Sequence, residues 1–381
     1  MDSARLSCVF GLMVLGLVGL QPVALGGGGL RRCKFPAIYN FGDSNSDTGA
    51  ISAAFASLHP PNGETFFGHP SGRFCDGRLI IDFIAEELKL PRLSAYLDSV
   101  GTNFRHGANF ATGGSSILPG GYSPFHLGIQ MSQFILFKSR TSALYTQLSP
   151  NGRSTPPFKS YLPRPEDFSK ALYTLDIGQN DLSYGFQHTT IEQVRLSIPN
   201  ILSQFFQAVN QLYKEGARVF WVHNTGPIGC LPYSVMYYRS KPWNLDQNGC
   251  VKPRNEVAQE FNRQLKEMVF QLKADLPGAA FTYVDVYSAK YALISSAKNE
   301  GFVDPFEFCC GSYHGDHIDC GKTAIINGTV YGNLCDNPSK HISWDGIHYS
   351  ESANIWIANR ILNGSFSDPP VSIGETCYPS Q

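Results

Sequence analysis

Short apolar runs that read as strands alternate along this chain with longer segments whose apolar residues recur every three to four positions. Residues 35–41 are almost wholly apolar, as expected of a strand buried on both faces. Comparable strand-like runs occupy residues 103–110, 171–177, 218–222 and 281–286. Between them the period becomes helical, over residues 79–88 and 129–144. Val194, Ile198, Leu202, Phe205 and Val209 fall on one helical face, with Pro199 inside the pattern as a source of a kink. Val257, Phe261, Leu265, Met268 and Leu272 mark another helix, and residues 355–361 belong to a terminal one. This alternation predicts βαβ units, hence an α/β chain with a parallel sheet covered by helices on both faces and joined by right-handed crossovers. Residues 149–167 and 303–342 read as long loops, the second held by disulfides.

In open parallel sheets, ligands bind beyond the carboxyl ends of the strands. Four segments near such ends carry groups able to do chemistry. The first strand runs into Gly42-Asp43-Ser44, followed by a polar stretch able to start a helix, which would place the Ser44 N–H near a helix N-terminus. The second strand-like run is followed by small residues including Gly113 and Gly114, which let backbone approach a ligand closely. The third is followed by Asn180, whose amide can donate to developing negative charge. Near the terminal helix, Asp345 precedes His348 by three residues, so one short segment can present an acid that orients a basic ring. Taken alone, each segment is more simply read as a turn or a helix cap. Taken together, they supply a hydroxyl, an imidazole, a carboxylate and amide donors.

In that order, Ser, Gly, Asn and Asp-x-x-His, the segments resemble those of the plant GDSL esterase/lipase family within the SGNH hydrolases, in its early-nodulin-like and fucosidase-like branch. The resemblance covers nearly all of residues 33–363. It extends to Pro60-Pro61-Asn62-Gly63-Glu64-Thr65, Gly72-Arg73-Phe74 and residues 81–88. It implies a flavodoxin-like three-layer αβα sandwich with a central parallel sheet of about five strands. It also implies Ser44 as nucleophile, Asp345 and His348 completing a triad, and Ser44, Gly114 and Asn180 as an oxyanion hole. No cofactor or metal is called for. The expected reaction is ester hydrolysis through an acyl-enzyme, on a small-molecule or glycan ester. Acyl transfer to an alcohol would use the same triad. A glycosidase needs two flanking carboxylates, and no paired acids stand at strand ends. A non-catalytic storage or binding role leaves the full set of reactive residues without purpose. Two departures from the family pattern stand out. Asn45 replaces the leucine of the family name, and Cys75 stands where a small polar residue is usual, which makes it the candidate for an unpaired thiol.

Residues 1–29 read as a secretory signal. Arg5 is followed by an apolar run and then by small residues suited to cleavage. Residues 30–381 then form one hydrolase domain, secreted and with no stable membrane span after signal removal. Ten cysteines fit an oxidising compartment, and setting aside Cys8 in the signal leaves an odd nine. Cys230 with Cys250 is expected to close a local loop, and the group between 309 and 335 to pair within itself. The sequons at Asn327 and Asn363 fit a secreted glycoprotein. His314, Asp316, His317 and Asp319 lie among Cys309, Cys310 and Cys320, which raises zinc, but export favours disulfides there. A net charge of −1 offers no basic surplus for nucleic acid. The aromatics between Tyr233 and Trp243 either line an acyl pocket or serve packing.

Overall fold

In the computed structural model, which describes residues 33–148, 157–238, 242–313, 317–332 and 334–377, the five strand-like runs lie side by side in parallel. They are β1 (Ile38–Gly42), β2 (Gly107–Asn109), β3 (Leu172–Asp176), β4 (Val219–His223) and β5 (Ala280–Val284), in the spatial order 2-1-3-4-5. That order is the flavodoxin-like one. β4 equals its run in length, and the other four strands are shorter, because the runs extend beyond the residues that pair in the ladder. A hairpin of β6 (Ala324–Ile326) and β7 (Thr329–Tyr331) stands apart, and a two-residue strand, β8 (Ser367–Asp368), adds antiparallel to the β5 edge. The hairpin corrects the reading of residues 303–342 as loop alone. Asn327 and Gly328 form its turn with φ of 50° and 80°, the dipeptide that two-residue hairpins favour.

Among the described residues, seven longer helices flank the sheet. They are α1 (Ile80–Glu87), α2 (Leu127–Gln147), α3 (Gln179–His188), α4 (Ile191–Lys214), α5 (Lys252–Asp275), α6 (Val286–Ser295) and α7 (Glu351–Ile361). Helices α2 to α5 pack among themselves, and α7 packs on α1 and α6, so the sheet lies between two helical layers. Pro199 is accommodated inside α4. Neither α3 nor α6 was legible. The start of α3 reads as a Gly-Gln-Asn-Asp turn, and α6 is set off from β5 by the single residue Asp285, which caps it. Within the 149–167 stretch, the described part makes two single 3-10 turns, at Pro157–Tyr161 and Pro165–Asp167. The core around β1 is aromatic. Tyr39, Phe41, Phe110 and Phe134 meet with centroids 5.3–5.7 Å apart in edge-to-face and stacked pairs, geometries that add to simple burial.

Cys230 bonds to Cys250, Cys309 to Cys335 and Cys310 to Cys320, in line with the expected local closures. Cys33–Cys377 was not anticipated, since a separation of 344 residues leaves no spacing cue. Cys75 is free and buried. The bridges consume the sulfurs of Cys309, Cys310 and Cys320, so these are not thiolates able to bind zinc. His317 and Asp319 are exposed, whereas His314 and Asp316 lie outside the described residues, as do residues 1–29 of the expected signal. Among the described residues no helix is long and apolar enough to cross a membrane.

Candidate active site

The site grows from the carboxyl end of β1, where an otherwise apolar strand contains Asn40, 1% exposed. A buried amide must find partners, and Asn40 finds them on both neighbouring strands. Its Nδ2 donates to Asn109 Oδ1 (2.7 Å) and Ser46 Oγ (3.1 Å), and its Oδ1 accepts from Thr174 Oγ1 (2.6 Å). Asn109 Nδ2 donates in turn to the Ser46 carbonyl (2.6 Å) and Thr48 Oγ1 (2.9 Å). Gln130 of α2 reads the Gly42 backbone twice, accepting from its N–H (3.0 Å) and donating to its carbonyl (2.8 Å). A side chain at Gly42 would meet Ser46 Oγ at 2.4 Å and the Asp176 carbonyl at 2.6 Å, so only glycine lets the chain leave the strand here.

Ser44 follows on a tight turn. Asp43 Oδ1 accepts from the Asn45 N–H (2.9 Å) and from Asn45 Nδ2 (2.8 Å), while the Ser46 N–H donates to the Asp43 carbonyl (3.1 Å). The next helix begins only at Ala50. Ser44 is therefore held by a side-chain-braced turn and not at a helix N-terminus, which corrects that expectation. Asp47 anchors the far side by accepting from the N–H groups of Gly49, Ala50, Ile51 and Gly113 at 2.6–3.0 Å. Burial still outweighs these four donors and leaves its carboxyl above the usual range.

The acid–base segment arrives from the other end of the chain. Buried Trp344 donates its indole N–H to Asn62 Oδ1 (2.9 Å), and its carbonyl accepts from the N–H groups of Cys309 (2.9 Å) and Cys310 (2.7 Å). The Tyr313 hydroxyl donates to the Asp345 carbonyl (2.8 Å), and the Tyr233 N–H donates to the Gly346 carbonyl (3.0 Å). So clamped, Asp345 Oδ1 accepts from the N–H groups of Ile347 (2.9 Å) and His348 (2.7 Å), and Oδ2 faces His348 Nδ1 at 2.6 Å. His348 Nε2 lies 2.7 Å from Ser44 Oγ. With Nδ1–H pointing at a carboxylate, Nε2 is left as an acceptor for the serine proton. Burial raises the Asp345 carboxyl, but attraction to His348 and the ring and backbone hydrogen bonds outweigh it and hold the group below the usual range.

Gly114 and Asn180 come together on the remaining side. Gly114 has φ of 75°, a left-handed conformation that favours glycine, and a side chain there would meet Tyr122 Cβ at 3.2 Å. Asn180, in the first turn of α3, donates Nδ2 to the Ser115 carbonyl (2.9 Å), which leaves the second amide hydrogen for another acceptor. Asp181 Oδ2 and Oδ1 accept from the N–H groups of Ile117 (2.8 Å) and Leu118 (2.9 Å), so the glycine loop is tied to α3. Ser44, Gly114, Asn180, Asp345 and His348 are thus all carried on segments that converge at this end of the sheet. Asn327, in the hairpin turn, and Asn363, after α7, are both exposed. Asn40, Asp47, Asn109, Gln130 and Asp181 were missed as shaping residues. For Asn40 and Asn109 the cue was present, because polar side chains inside strands buried on both faces need partners.

A cavity of about 490 Å³ opens beside the imidazole, with Leu58, His59, Asn62, Phe74 and Tyr313 in its walls. Phe74 stacks on the His348 ring, centroids 5.0 Å apart. A larger hollow of about 740 Å³ lies over β5 and β8 and touches none of the residues above. The aromatic stretch from Tyr233 serves packing: Tyr233 meets Tyr237 and Tyr313 with centroids 4.9 and 5.6 Å away, while Trp243 is exposed.

Comparison with known proteins agrees with this architecture. The model of the GDSL-like Lipase/Acylhydrolase family matches residues 38–361. A GDSL esterase/lipase of Arabidopsis thaliana is 58% identical over 348 residues, 91% of either chain. The protein named alpha-L-fucosidase 3 of the same plant is 50% identical over 350 residues, 88% of this chain and 92% of its own. The GDSL esterase/lipase ENOD8 of Medicago truncatula is 46% identical over 360 residues, 91% of each. The chain belongs to the GDSL-like lipase/acylhydrolase family and is a carboxylic ester hydrolase.

Proposed function

We propose that Ser44 is the nucleophile of a two-step acyl transfer in which His348 is the base and Asp345 orients it. The observation that carries this reading is the continuous relay from Asp345 Oδ2 through His348 to Ser44 Oγ, with contacts of 2.6 and 2.7 Å. His348 Nε2 takes the hydroxyl proton as Ser44 Oγ attacks the ester carbonyl. The tetrahedral oxyanion is received by the backbone N–H groups of Ser44 and Gly114 and by the free amide hydrogen of Asn180. The imidazolium then gives its proton to the departing alcohol, and water releases the acid from the acyl-enzyme.

The alcohol must leave on the imidazole side, where the cavity of about 490 Å³ lies. Its walls mix apolar Leu58 and Phe74 with polar His59 and Asn62. That composition suits an acyl or acetyl ester of a lipid, glycoside or cell-wall glycan. The domain, residues 30–381, is proposed to be exported on a signal at residues 1–29, with glycans on Asn327 and Asn363, and to act in the extracellular space. A glycosidase reading is disfavoured by the carboxylates nearby. Asp345 is engaged by His348, Asp181 is turned to backbone N–H groups, and Asp319 in the cavity wall is paired with Lys322, so among the described residues no uncommitted acid pair flanks a glycosidic bond there.

The test is a panel of p-nitrophenyl esters of increasing chain length, run beside an acetylated glycan with the wild type and Ser44→Ala. Loss of turnover in a folded Ser44→Ala enzyme is expected, and undiminished turnover removes Ser44 as nucleophile. Adding an acceptor alcohol and measuring transfer product against free acid separates hydrolysis from acyl transfer.

A further inference from the structure

One buried cation plays no part in the relay above. Lys290, on α6, is 3% exposed, and lysine is seldom buried without a partner. Its ammonium lies 4.5 Å from the centroid of the Tyr349 ring, the residue that follows His348. A side chain at Gly226 would stand 3.1 Å from Lys290 Cδ and 3.6 Å from its Nζ, so that glycine leaves the room the lysine occupies. Burial lowers the ammonium's proton affinity, and attraction first to Asp176 and then to Asp43 opposes it.

Those two carboxylates belong to the nucleophile's own support. Asp43 precedes Ser44, and its N–H donates to the carbonyl of Asp176 at the end of β3 (3.2 Å). Asp43 Oδ2 is buried with no hydrogen-bond partner among the described residues. Burial, and then the charge of Asp176, pushes the Asp43 carboxyl up to about 7. Asp176 is held below the usual range. Burial would raise it, but His223 and Lys290 outweigh that. Trp221 Nε1–H donates to His223 Nε2 (3.0 Å), and because an indole can only donate, the His223 proton sits on Nδ1. Nδ1 faces Asp176 Oδ2 at 3.4 Å, long for a hydrogen bond, so the contact is electrostatic. The titratable groups around the ammonium are therefore Asp43, Asp176, His223 and Tyr349, with Tyr287 beside Tyr349.

We infer that Lys290 is a positioning residue for the acyl-transfer relay. Resting on Tyr349 while opposing Asp176 and Asp43, it fixes the Ser44 turn relative to the His348 segment and offsets the negative field beneath them. This rests on Ser44 and His348 being the reacting pair. Without the cation, the Asp176 charge stands unopposed and favours the protonated imidazole, the form that cannot accept the serine proton.

The test compares Lys290→Met, Lys290→Arg, Tyr349→Leu and Ser44→Ala on one soluble ester across pH 5 to 9. Lys290→Met is expected to lower kcat by about 10- to 100-fold, as misplaced groups do, with KM within about twofold. Its acid limb should move to higher pH by about half a unit, the order produced by losing one nearby charge in a medium of intermediate dielectric. Lys290→Arg should keep the wild-type limb. Tyr349→Leu retains the charge but loses the ring face on which the ammonium rests, so it should lower kcat without moving the limb, and it carries the test should Lys290→Met fail to fold. A folded Lys290→Met enzyme with wild-type kcat and limb overturns the inference, as does a fully active Tyr349→Leu when Lys290→Met does not fold. If Ser44→Ala is inactive in either case, the relay itself stands. An active Ser44→Ala instead removes the relay.

Discussion

Replacing Asp43 with asparagine should make the protein more stable at alkaline pH than at acid pH, relative to the wild type. In the folded state the Asp43 carboxyl keeps its proton up to about 7, against an ordinary value of 3.8. Between those values the unfolded chain releases the proton while the folded chain holds it. Stability from this group is therefore fully present below pH 3.8 and falls as pH rises towards 7. Each pH unit in that window is worth about 1.4 kcal/mol, so the two units from pH 5 to 7 amount to roughly 2.7 kcal/mol. Asparagine keeps an Oδ1 acceptor for the two Asn45 donors and puts an amide where the protonated acid has its hydroxyl. Any change in packing or hydrogen bonding is common to both pH values and cancels in the comparison. Urea unfolding with disulfides intact, at pH 5 and pH 8, reads the difference directly. The gap between variant and wild type should widen by about 2–3 kcal/mol at the higher pH. A gap constant within about 0.5 kcal/mol would mean that Asp43 is already ionised at pH 5, and the picture of a charge-balanced pocket beneath Ser44 would be wrong.

Asn180→Ala should lower kcat by about 100- to 1000-fold with little change in KM, the usual cost of one oxyanion donor; a raised KM with kcat unchanged would place the amide on the ground-state substrate instead. Expressed through a eukaryotic secretory route, the wild type should shift in mass on removal of N-linked glycans, and Asn327→Gln with Asn363→Gln should abolish that shift. Retention of the shift in the double variant would put the sugar elsewhere.

The parts of the site that could be read before the fold was known are those compressed into short runs. Ser44 sits two residues beyond a strand, and Asp345 and His348 share one five-residue segment, so local sequence already holds their relationship. Gly114 and Asn180 were legible only through the order in which the segments recur. What escaped notice depends on partners far apart in the chain. Gln130 reaches Gly42 across 88 positions, and Asn109 reaches Ser46 across 63. Asn40 in Ile-Tyr-Asn-Phe-Gly and Lys290 in Val-Tyr-Ser-Ala-Lys-Tyr-Ala-Leu-Ile-Ser share a recognisable mark: one strongly polar residue inside a run that is otherwise fit for burial. Such residues are expensive unless satisfied, so they point to a network before its members can be named. The helix start at Ser44 was misjudged for a related reason. Asp43 and Asp47 have side chains fit to cap a helix, and here Asp43 braces the turn while only Asp47 caps the short helix that follows.

The bridge between Cys33 and Cys377 joins the first and last described residues, with Cα atoms 5.4 Å apart and the Cys33 N–H donating to the Gly374 carbonyl. Between these two cysteines the described chain is in effect one covalent loop whose two ends lie side by side. A short peptide linking residues 33 and 377 would span the same gap and replace the sulfur bond as the clasp.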